Sequence, residues 1–316
     1  VLLERFNFGH KHGSSHGRTR IFRLSYPDPH YVEKAKEALR LWRRLERDSG
    51  ESLLTTMGGL DTGEGIERNA RALRECGVEH EMSDGKEVSK RFPSLQLDPY
   101  EPVLYQPDGG VVAAERSVTA FARLAVAGGV EIREGETATA IEPSDRSVRV
   151  STEHGLFEAE VVVVTAGAWA KPLLATAGID LPVRATRETV AYYELLGEPA
   201  PPLVDWNDPA IYSLPSPGQG LKAAQHIAGP EVDPDSAKDP SNRSVEIVSA
   251  WVKQRYPTAN DSPHLVETCL YTNTDDERFI LERHGRIVVG SACSGHGFKF
   301  APVTGERLAS LAQGLT

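Results

Sequence analysis

The spacing of apolar residues divides the chain into helices and strands. Apolar positions recur every three or four residues in four segments, which predicts amphipathic helices. These segments are residues 28–50, 66–76, 113–127 and 245–256. Apolar–polar alternation and short apolar runs between turn residues predict strands. The clearest of these runs are residues 138–141, 148–151, 156–159, 182–194, 211–215 and 221–226. The pattern therefore predicts an α/β fold in which helices and strands are mixed.

The strongest strand signal is a run of four valines at residues 161–164. Such a run is typical of a parallel strand that is covered on both faces. The small residues Ala166 and Gly167 follow it and lead to Trp169, as at a strand-to-helix junction. Junctions of this kind present backbone N–H groups to phosphates and leave room for a ligand. We therefore expect Ala166, Gly167 and Trp169 to border a ligand site.

The chain opens on another predicted buried strand, residues 1–6, which carries Glu4. In a dinucleotide-binding fold, an acidic residue at the end of the second strand hydrogen-bonds the ribose hydroxyls. A surface glutamate at a strand end is the alternative. No methionine precedes Val1, and we expect an N-terminal piece to be absent from this sequence.

Residues 11–23 form a polar segment that is dense in histidine and arginine. His16, Arg20 and Arg23 are spaced four and three residues apart, so they share one face if the segment forms a helix or turn. Arg20 and Arg23 bracket an apolar pair, which favours an inward position for at least one arginine. A solvated basic loop is the alternative.

A lysine and a histidine share one face of the predicted strand at 221–226. Side chains alternate along a strand with a period of two, so Lys222 and His226 point the same way. Exposure to solvent is the usual state of such residues, and a place in a functional site is the alternative. Tyr212 lies on the preceding strand.

The C-terminal part of the chain holds further candidates. Cys269 lies in an alternating run, although a free cysteine is often only a small core residue. A glycine-rich loop at 290–297 follows a short strand, and its glycines let the backbone approach a ligand closely. Lys299 lies between Phe298 and Phe300, an unusual place for a solvated lysine. It is therefore a candidate ligand for an anion.

Composition excludes several classes of partner. The chain of 316 residues has 45 acidic and 35 basic residues and a net charge of −10. This balance argues against general binding to nucleic acid or to an anionic membrane. No apolar run reaches the length of a membrane span. The three cysteines have no CxxC spacing, so we expect a reducing, cytoplasmic environment and no metal site.

Four pieces of the chain, in order, resemble a known family. They are residues 15–23, residues 212–222 with His226, residues 269–272 and residues 294–300. In these motifs the chain is similar to the monomeric sarcosine oxidases and related N-methyl amino acid oxidases, which belong to the D-amino-acid-oxidase-like flavoenzymes. The pieces cover nearly the whole chain, and their combination is specific.

The resemblance implies FAD as cofactor and roles for the matching residues. Cys269 resembles the cysteine that forms a thioether to the flavin. Lys222 resembles the lysine that assists the reaction with O2, where a cation stabilises developing negative charge. Arg23 and Lys299 resemble the pair that binds the substrate carboxylate.

The remaining matches fall on either side of the flavin. Tyr212 and His226 resemble residues that line the substrate pocket, with His226 also a catalytic candidate. His16 and Arg20 resemble basic catalytic residues on the other flavin face, and Glu4 resembles the acidic residue at the adenosine ribose. The resemblance adds a set of cofactor-binding candidates in the C-terminal loop: Gly295, His296, Gly297, Phe298 and Lys299.

The family's first strand, its GxGxxG turn and its first helix are missing from this sequence, and with them the main phosphate cradle. We expect the sequence to be a fragment; the alternative is a protein that cannot hold FAD in the family's way. The resemblance implies a Rossmann-like FAD-binding domain interleaved with an antiparallel-sheet substrate domain. The expected FAD domain combines residues 1–52, 109–181 and 273–316, and the substrate domain combines residues 53–108 and 182–272.

The expected activity is oxidation of the secondary amine of a small N-methyl amino acid such as sarcosine. O2 is reduced to H2O2, and formaldehyde and the demethylated amino acid are released. We expect a monomer whose partners are the small amino acid and O2. Oxidation of a cyclic imino acid (pipecolate or proline) or of a bulkier N-methyl amino acid is one alternative, and a non-catalytic ligand-binding remnant is another.

Overall fold

The computed structural model describes residues 1–227, 229–236 and 239–315. In these ranges the strands are β1 (Leu2–Glu4), β2 (Thr19–Phe22), β3 (Leu54–Thr56), β4 (Gly59–Thr62), β5 (Glu81–Asp84), β6 (Pro102–Gln106), β7 (Gly110–Ala113), β8 (Ile132–Glu134), β9 (Ala138–Pro143), β10 (Val148–Thr152), β11 (Leu156–Ala159), β12 (Val162–Val164), β13 (Arg184–Tyr193), β14 (Leu203–Asp205), β15 (Ile211–Ser216), β16 (Gly220–Gln225), β17 (Leu265–Asn273), β18 (Ile280–His284) and β19 (Ile287–Ser291). The α-helices are α1 (Pro29–Ser49), α2 (Ile66–Glu75), α3 (Gly85–Arg91), α4 (Ala114–Ala127), α5 (Ala170–Ala175), α6 (Asn242–Arg255) and α7 (Ala301–Ala312).

The largest sheet carries much of the candidate chemistry. Its eight strands follow the order β17-β13-β16-β15-β14-β4-β6-β5. The long strand β13 pairs with β16 on one side, where Tyr192 lies opposite Lys222. It pairs with β17 on the other side, where Glu188 lies opposite Cys269. The sheet therefore brings the predicted lysine and cysteine onto the two strands that flank β13.

Four smaller sheets complete the fold. Strand β1 pairs in parallel with β8, and β12 pairs in parallel with β19, which also pairs antiparallel with β18. Strands β9, β10 and β11 form the predicted antiparallel meander. Strands β2 and β3 flank β7. The predicted mixture of α and β structure is confirmed.

The expected burial of two strands is wrong. Strand β12 is the edge strand of its three-stranded sheet. Its middle residue, Val163, points away from the core and is 42% exposed. Strand β1 pairs only with β8 among the described strands. Val1 and Leu2 are consequently 71% and 39% exposed. The apolar runs at these positions indicated the strands correctly but not their coverage.

The basic segment before α1 does not form the helix or turn that would place its three basic residues on one face. Residues Thr19–Phe22 form β2, which pairs antiparallel with β7. An extended chain turns residues three apart to opposite sides. Arg20 and Arg23 therefore point to opposite sides of the chain and contact different groups of side chains.

Helix α1 holds the C-terminal candidate segment in place. Asp28 caps its start by accepting a hydrogen bond from the His30 backbone N–H at 2.9 Å, and Gly50 ends it with a left-handed φ of 70°. The helix buries an apolar face in which Trp42 is fully buried. The Trp42 indole N–H donates to the Lys299 carbonyl oxygen at 2.7 Å. Packing of α1 therefore fixes the backbone that carries Lys299.

None of the helices in the described ranges has the length and apolarity needed to cross a membrane. The division of the chain into two interleaved domains stays a prediction.

Candidate active site

Lys222 is the centre of the first cluster of candidate residues. It lies on β16, and its side chain is only 5% exposed, so the solvated alternative is wrong. Its ammonium group donates to the Thr19 carbonyl oxygen at 3.2 Å. Burial, with the Arg20 charge as a second cause, lowers the pKa of Lys222 to about 7. A shift of this size corresponds to about 5 kcal/mol against the charged form.

Arg20 approaches the same cluster from β2. Its guanidinium donates to three backbone carbonyl oxygens: Thr19 at 2.8 Å, Ser14 at 2.7 Å and His16 at 2.6 Å. It also lies 5.6 Å from the ring centre of Phe298. The Thr19 carbonyl therefore accepts hydrogen bonds from both Arg20 and Lys222. Sharing one acceptor holds two positive charges close together.

His16 lies beside this pair with its ring buried. Among the described residues, neither ring nitrogen has a partner in hydrogen-bond geometry, and the nearby Thr268 backbone acts to raise the His16 pKa. Burial and then the Arg20 charge lower the pKa of His16 to about 4. His16 is therefore neutral near pH 7, with polar atoms available to a ligand.

Cys269 completes this cluster from β17. It is 9% exposed, and its thiol lies 3.7 Å from the Leu270 carbonyl oxygen. Burial raises the pKa of the Cys269 thiol, while the charges of Arg20 and Lys222 act in the opposite direction. Burial outweighs these charges, so Cys269 is a neutral thiol in this environment.

Arg23 defines a second cluster on the other side of the β2 segment. Its guanidinium lies between two aromatic rings, 4.0 Å from the centre of Tyr26 and 5.0 Å from that of Trp206. One of its N–H groups donates to the Ser25 carbonyl oxygen. Arg23 is 9% exposed. Two aromatic faces can hold a guanidinium in place while its N–H edge stays available for a planar anion.

Lys299 belongs to the same cluster and lies in a short 3-10 turn before α7. It is 5% exposed, and its ammonium donates to the His296 carbonyl oxygen at 2.9 Å. The ammonium lies 5.8 Å from the ring centre of Tyr26, which also contacts Arg23. Burial and then the charge of Arg23 lower the pKa of Lys299 well below its usual value. A bound anion would offset both effects.

Tyr212, Tyr271 and His226 form a wall near these cations. The Tyr212 and Tyr271 hydroxyl groups are hydrogen-bonded to each other, and burial raises the pKa of Tyr212 to about 12. His226 lies 6.3 Å from Tyr271 between ring centres, and its Nε2 is 3.8 Å from a Glu277 carboxylate oxygen. The two tyrosines are therefore neutral hydrogen-bonding groups.

The glycine-rich loop packs directly on this wall. Gly295 has a left-handed φ of 71°, and a Cβ added there would lie 2.4 Å from the Tyr271 ring and 2.9 Å from His226. A Cβ on Gly297 would lie 1.5 Å from the Ala292 carbonyl oxygen. The His296 Nε2–H donates a hydrogen bond to the Glu277 carbonyl oxygen at 3.0 Å. The glycines are thus required for close packing of the loop.

Glu4 and the turn of Ala166, Gly167 and Trp169 form a further group of predicted residues, and the turn lies against β17. Glu4 ends β1, where its carboxylate accepts a hydrogen bond from the Phe6 backbone N–H at 2.9 Å. Trp169 follows Ala166 and Gly167 in a 3-10 turn after β12 and donates its indole N–H to Asp235 at 3.0 Å. The Trp169 ring packs edge-on against Phe6, 5.6 Å away between ring centres. An open depression of about 490 Å³ adjoins this group and is lined by Arg5, Phe6, Asn7, Phe8, Gly9, His10, His12 and Gly135.

Several buried polar atoms around the first cluster fit a large polar ligand. Besides the ring nitrogens of His16, the side-chain oxygens of Thr19, Thr272 and Asn273 are buried and have no hydrogen-bond partner within the described part of the chain. Buried polar atoms are normally paired, so such atoms are expected where a bound molecule completes the structure. The residues present therefore fit a cofactor rich in hydrogen-bonding groups and negative charge, as FAD is.

Three residues of the second cluster escaped prediction from the sequence. Tyr26 and Trp206 contact Arg23, and Asp61 is a buried residue of β4 that accepts a hydrogen bond from the Trp206 indole N–H at 2.8 Å. Asp61 is 1% exposed. Its place depends on the pairing of β4 with β14, which comes much later in the chain. No local pattern at residues 59–62 indicates that pairing.

Comparison with known proteins agrees with this geometry. Residues 1–311 match the family described as FAD dependent oxidoreductase. The chain belongs to this family. FAD is therefore its cofactor, and it is a member of the flavin-dependent amino acid oxidases.

Individual sarcosine oxidases and a solved amino acid oxidase structure are similar to nearly the whole chain. Human peroxisomal sarcosine oxidase is 34% identical over 339 aligned residues, which cover 100% of this chain and 86% of the relative. Monomeric sarcosine oxidase of Bacillus sp. (strain B-0618) is 30% identical, with 99% and 85% covered. The open form of NikD, an unusual amino acid oxidase essential for nikkomycin biosynthesis, has a TM-score of 0.88 at 27% identity, with 98% and 86% covered. The sequence-based assignment to the sarcosine oxidase family and to its fold is confirmed.

The contact of Gly295 with the aromatic wall generates a prediction. Gly295→Ala should lower the free energy of unfolding by about 1–3 kcal/mol for overpacking, in addition to the cost of a left-handed alanine. Gly285→Ala is the matched control, because Gly285 has a φ of 59° and no atom within 4 Å of an added Cβ. Urea unfolding of both variants measures the difference. Equal destabilisation of the two variants would contradict the close contact at Gly295.

Proposed function

We propose that this protein oxidises the secondary amine of a small N-methyl amino acid such as sarcosine. In the balanced reaction, the N-methyl amino acid, O2 and H2O give the demethylated amino acid, formaldehyde and H2O2. The reaction breaks the N–CH3 bond after two electrons leave the amine. We also propose that the protein acts as a monomer, as the names of several bacterial relatives suggest for those proteins.

The observation that carries the proposal is the pair of buried cations, Arg23 and Lys299, beside Tyr26. In the described part of the chain, both donate to backbone carbonyls, and neither forms an ion pair with a carboxylate. The acidic groups of Asp61 and Glu277 act on Arg23 electrostatically without forming an ion pair with it. Two neighbouring basic groups favour binding of a carboxylate, which can accept charge-assisted hydrogen bonds from both. A free amino acid supplies such a carboxylate.

The same charges prepare the amine for oxidation. An amine gives up electrons readily only when it is neutral, because protonation occupies its lone pair. Arg23 and Lys299 disfavour a further positive charge in the pocket and therefore lower the pKa of a bound amine. Tyr212 and His226 would contact the rest of the substrate.

The chain's own residues support an FAD site next to this pocket. FAD, when bound, supplies two-electron oxidation of amines and transfer of the electrons to O2. We propose that Cys269 holds it covalently and that His16 and Arg20 border one face. Lys222 would hold positive charge where O2 gains electrons. Glu4, the turn of Ala166, Gly167 and Trp169, and the backbone around His296 would complete the site.

The substrate proposal is tested by H2O2 release from the purified, FAD-containing protein. We expect sarcosine to be oxidised with formaldehyde formed in equal amount, because each turnover removes one methyl group. N-methyltryptophan, pipecolate and proline are assayed in parallel. Higher kcat/KM for pipecolate or proline, or H2O2 without formaldehyde, would contradict oxidation of an N-methyl group.

The proposed covalent link predicts where the flavin goes on acid denaturation. Yellow colour should remain with the precipitated protein, since a thioether survives acid, whereas Cys269→Ala should release it to the supernatant. Cys293→Ala is the control because Cys293 is a free, partly buried cysteine of the neighbouring loop. Release of flavin from the unaltered protein would exclude the Cys269 link, and a protein that carries no flavin would favour a non-catalytic remnant.

The role of Lys222 predicts a split between two half-reactions. Lys222→Met removes the buried charge and should slow reaction of the reduced enzyme with O2 by about 10²-fold or more, as losses of comparable charge-stabilising groups do. Lys299→Met should instead raise the apparent Kd for the amino acid and leave the reaction with O2 largely unchanged. Stopped-flow absorbance measures each half-reaction. Unchanged oxygen reactivity in Lys222→Met would overturn its role.

A further inference from the structure

Trp206 contacts Arg23 but has no role in the proposed chemistry. It follows β14 directly, and its backbone N–H donates to the Thr62 carbonyl oxygen at 2.9 Å. Its indole ring lies 5.0 Å from the Arg23 guanidinium carbon and meets the His226 ring edge-on, 6.1 Å away at 87°. Trp206 therefore lies between two residues of the proposed substrate pocket.

Asp61 holds this indole. The Asp61 carboxylate accepts the Trp206 indole N–H at 2.8 Å through one oxygen and the Gln106 amide N–H at 3.3 Å through the other. Gln106 in turn accepts the backbone N–H groups of Leu24 at 2.6 Å and Ser25 at 3.2 Å. One buried carboxylate thus connects the Trp206 ring to the backbone that follows Arg23.

Hydrogen bonds also hold the two residues next to Trp206 in sequence. Asp205 accepts the Asn207 side-chain amide at 2.8 Å. Its other oxygen accepts the Trp251 indole N–H at 2.9 Å and an Arg255 N–H at 2.8 Å. A ring held through its own N–H and through both neighbours in sequence has little freedom to move aside. Trp206 is therefore a rigid boundary.

We propose that Trp206, positioned by Asp61, is a specificity-determining wall that selects amino acids with little or no side chain on the α-carbon. This inference rests on the proposed function, in which Arg23 and Lys299 bind the substrate carboxylate. The α-carbon is bonded directly to the carboxylate carbon. A fixed ring beside the carboxylate anchor consequently meets an α-substituent before it meets the N-methyl group.

The selection acts through steric exclusion. A pocket of fixed size discriminates by about 10–200-fold for each methylene that it excludes. The class of substrate is then an N-alkylated glycine, with sarcosine as its smallest N-methyl member. Asp61 acts only as a positioning residue, because its carboxylate oxygens are occupied by Trp206 and Gln106.

The first experiment compares kcat/KM for sarcosine, N-methylalanine and N-methylleucine in the FAD-containing protein. Trp206→Ala should raise the ratio of N-methylleucine to sarcosine by about tenfold or more, and Trp206→Phe should raise it less. Tyr193→Ala and Tyr193→Phe are matched controls, because Tyr193 is also a buried aromatic residue whose polar group is hydrogen-bonded, here to the Ser249 hydroxyl at 2.9 Å. The controls should lose stability without a change in the ratio. An unchanged ratio in both Trp206 variants would overturn the inference.

The second experiment separates Asp61 from general structural damage. Asp61→Asn keeps an oxygen that can accept the Trp206 N–H, so it should retain the selectivity of the unaltered protein. Asp61→Leu lacks an acceptor and should relax selectivity in the direction of Trp206→Ala. Retention of selectivity in Asp61→Leu would contradict the positioning role, and so would its loss in Asp61→Asn.

A binding measurement distinguishes failure of the inference from failure of the proposed reaction. Titration calorimetry with acetate and with 2-methylpropanoate, which is branched at the α-carbon, requires no turnover. Trp206→Ala should gain about tenfold in relative affinity for the branched acid. If no N-methyl amino acid is oxidised but this shift occurs, the reaction is wrong and the wall stands. If sarcosine is oxidised but the shift is missing, the wall is wrong and the reaction stands.

Discussion

Four basic side chains in two neighbouring clusters set the main physical constraint on this protein. Arg23, Lys222 and Lys299 are buried and Arg20 is half-buried, and each donates to a backbone carbonyl oxygen. A buried charge is costly even when it is hydrogen-bonded, and burial accordingly lowers the pKa of both lysines. A bound anion would offset this cost and stabilise the charged form of each lysine.

This arrangement depends on accurate placement of the backbone. The Thr19 carbonyl serves both Arg20 and Lys222, so β2 and β16 must lie within hydrogen-bonding reach of each other. The Trp42 indole holds the backbone at Lys299 from the opposite direction. The extended course of β2 then sends Arg20 into the cluster around Lys222 and Arg23 into the cluster around Tyr26. The extended conformation of β2 thus places the two arginines in different clusters.

The sequence indicated much of the framework and several of the cations, and the reason differs from case to case. Alternation placed the strands around Lys222, and the two phenylalanines beside Lys299 signalled its burial. The family resemblance added Arg23 and Cys269, whose individual roles stay predictions. Asp61 and Trp206 could not be predicted, because their contact arises from pairing of strands that are distant in the chain. Backbone carbonyl acceptors also cannot be recognised from the sequence, because every residue has one.

Because backbone acceptors do not depend on residue type, the site depends on sequence in an unusual way. A main-chain carbonyl is present whatever the side chain, so the oxygens that accept from Arg20 at residues 14, 16 and 19 depend on the local backbone path and not on residue type. Loss of a carboxylate partner by substitution would instead leave a bare charge. The electrostatics of this cluster are therefore set by the course of the chain at these acceptors.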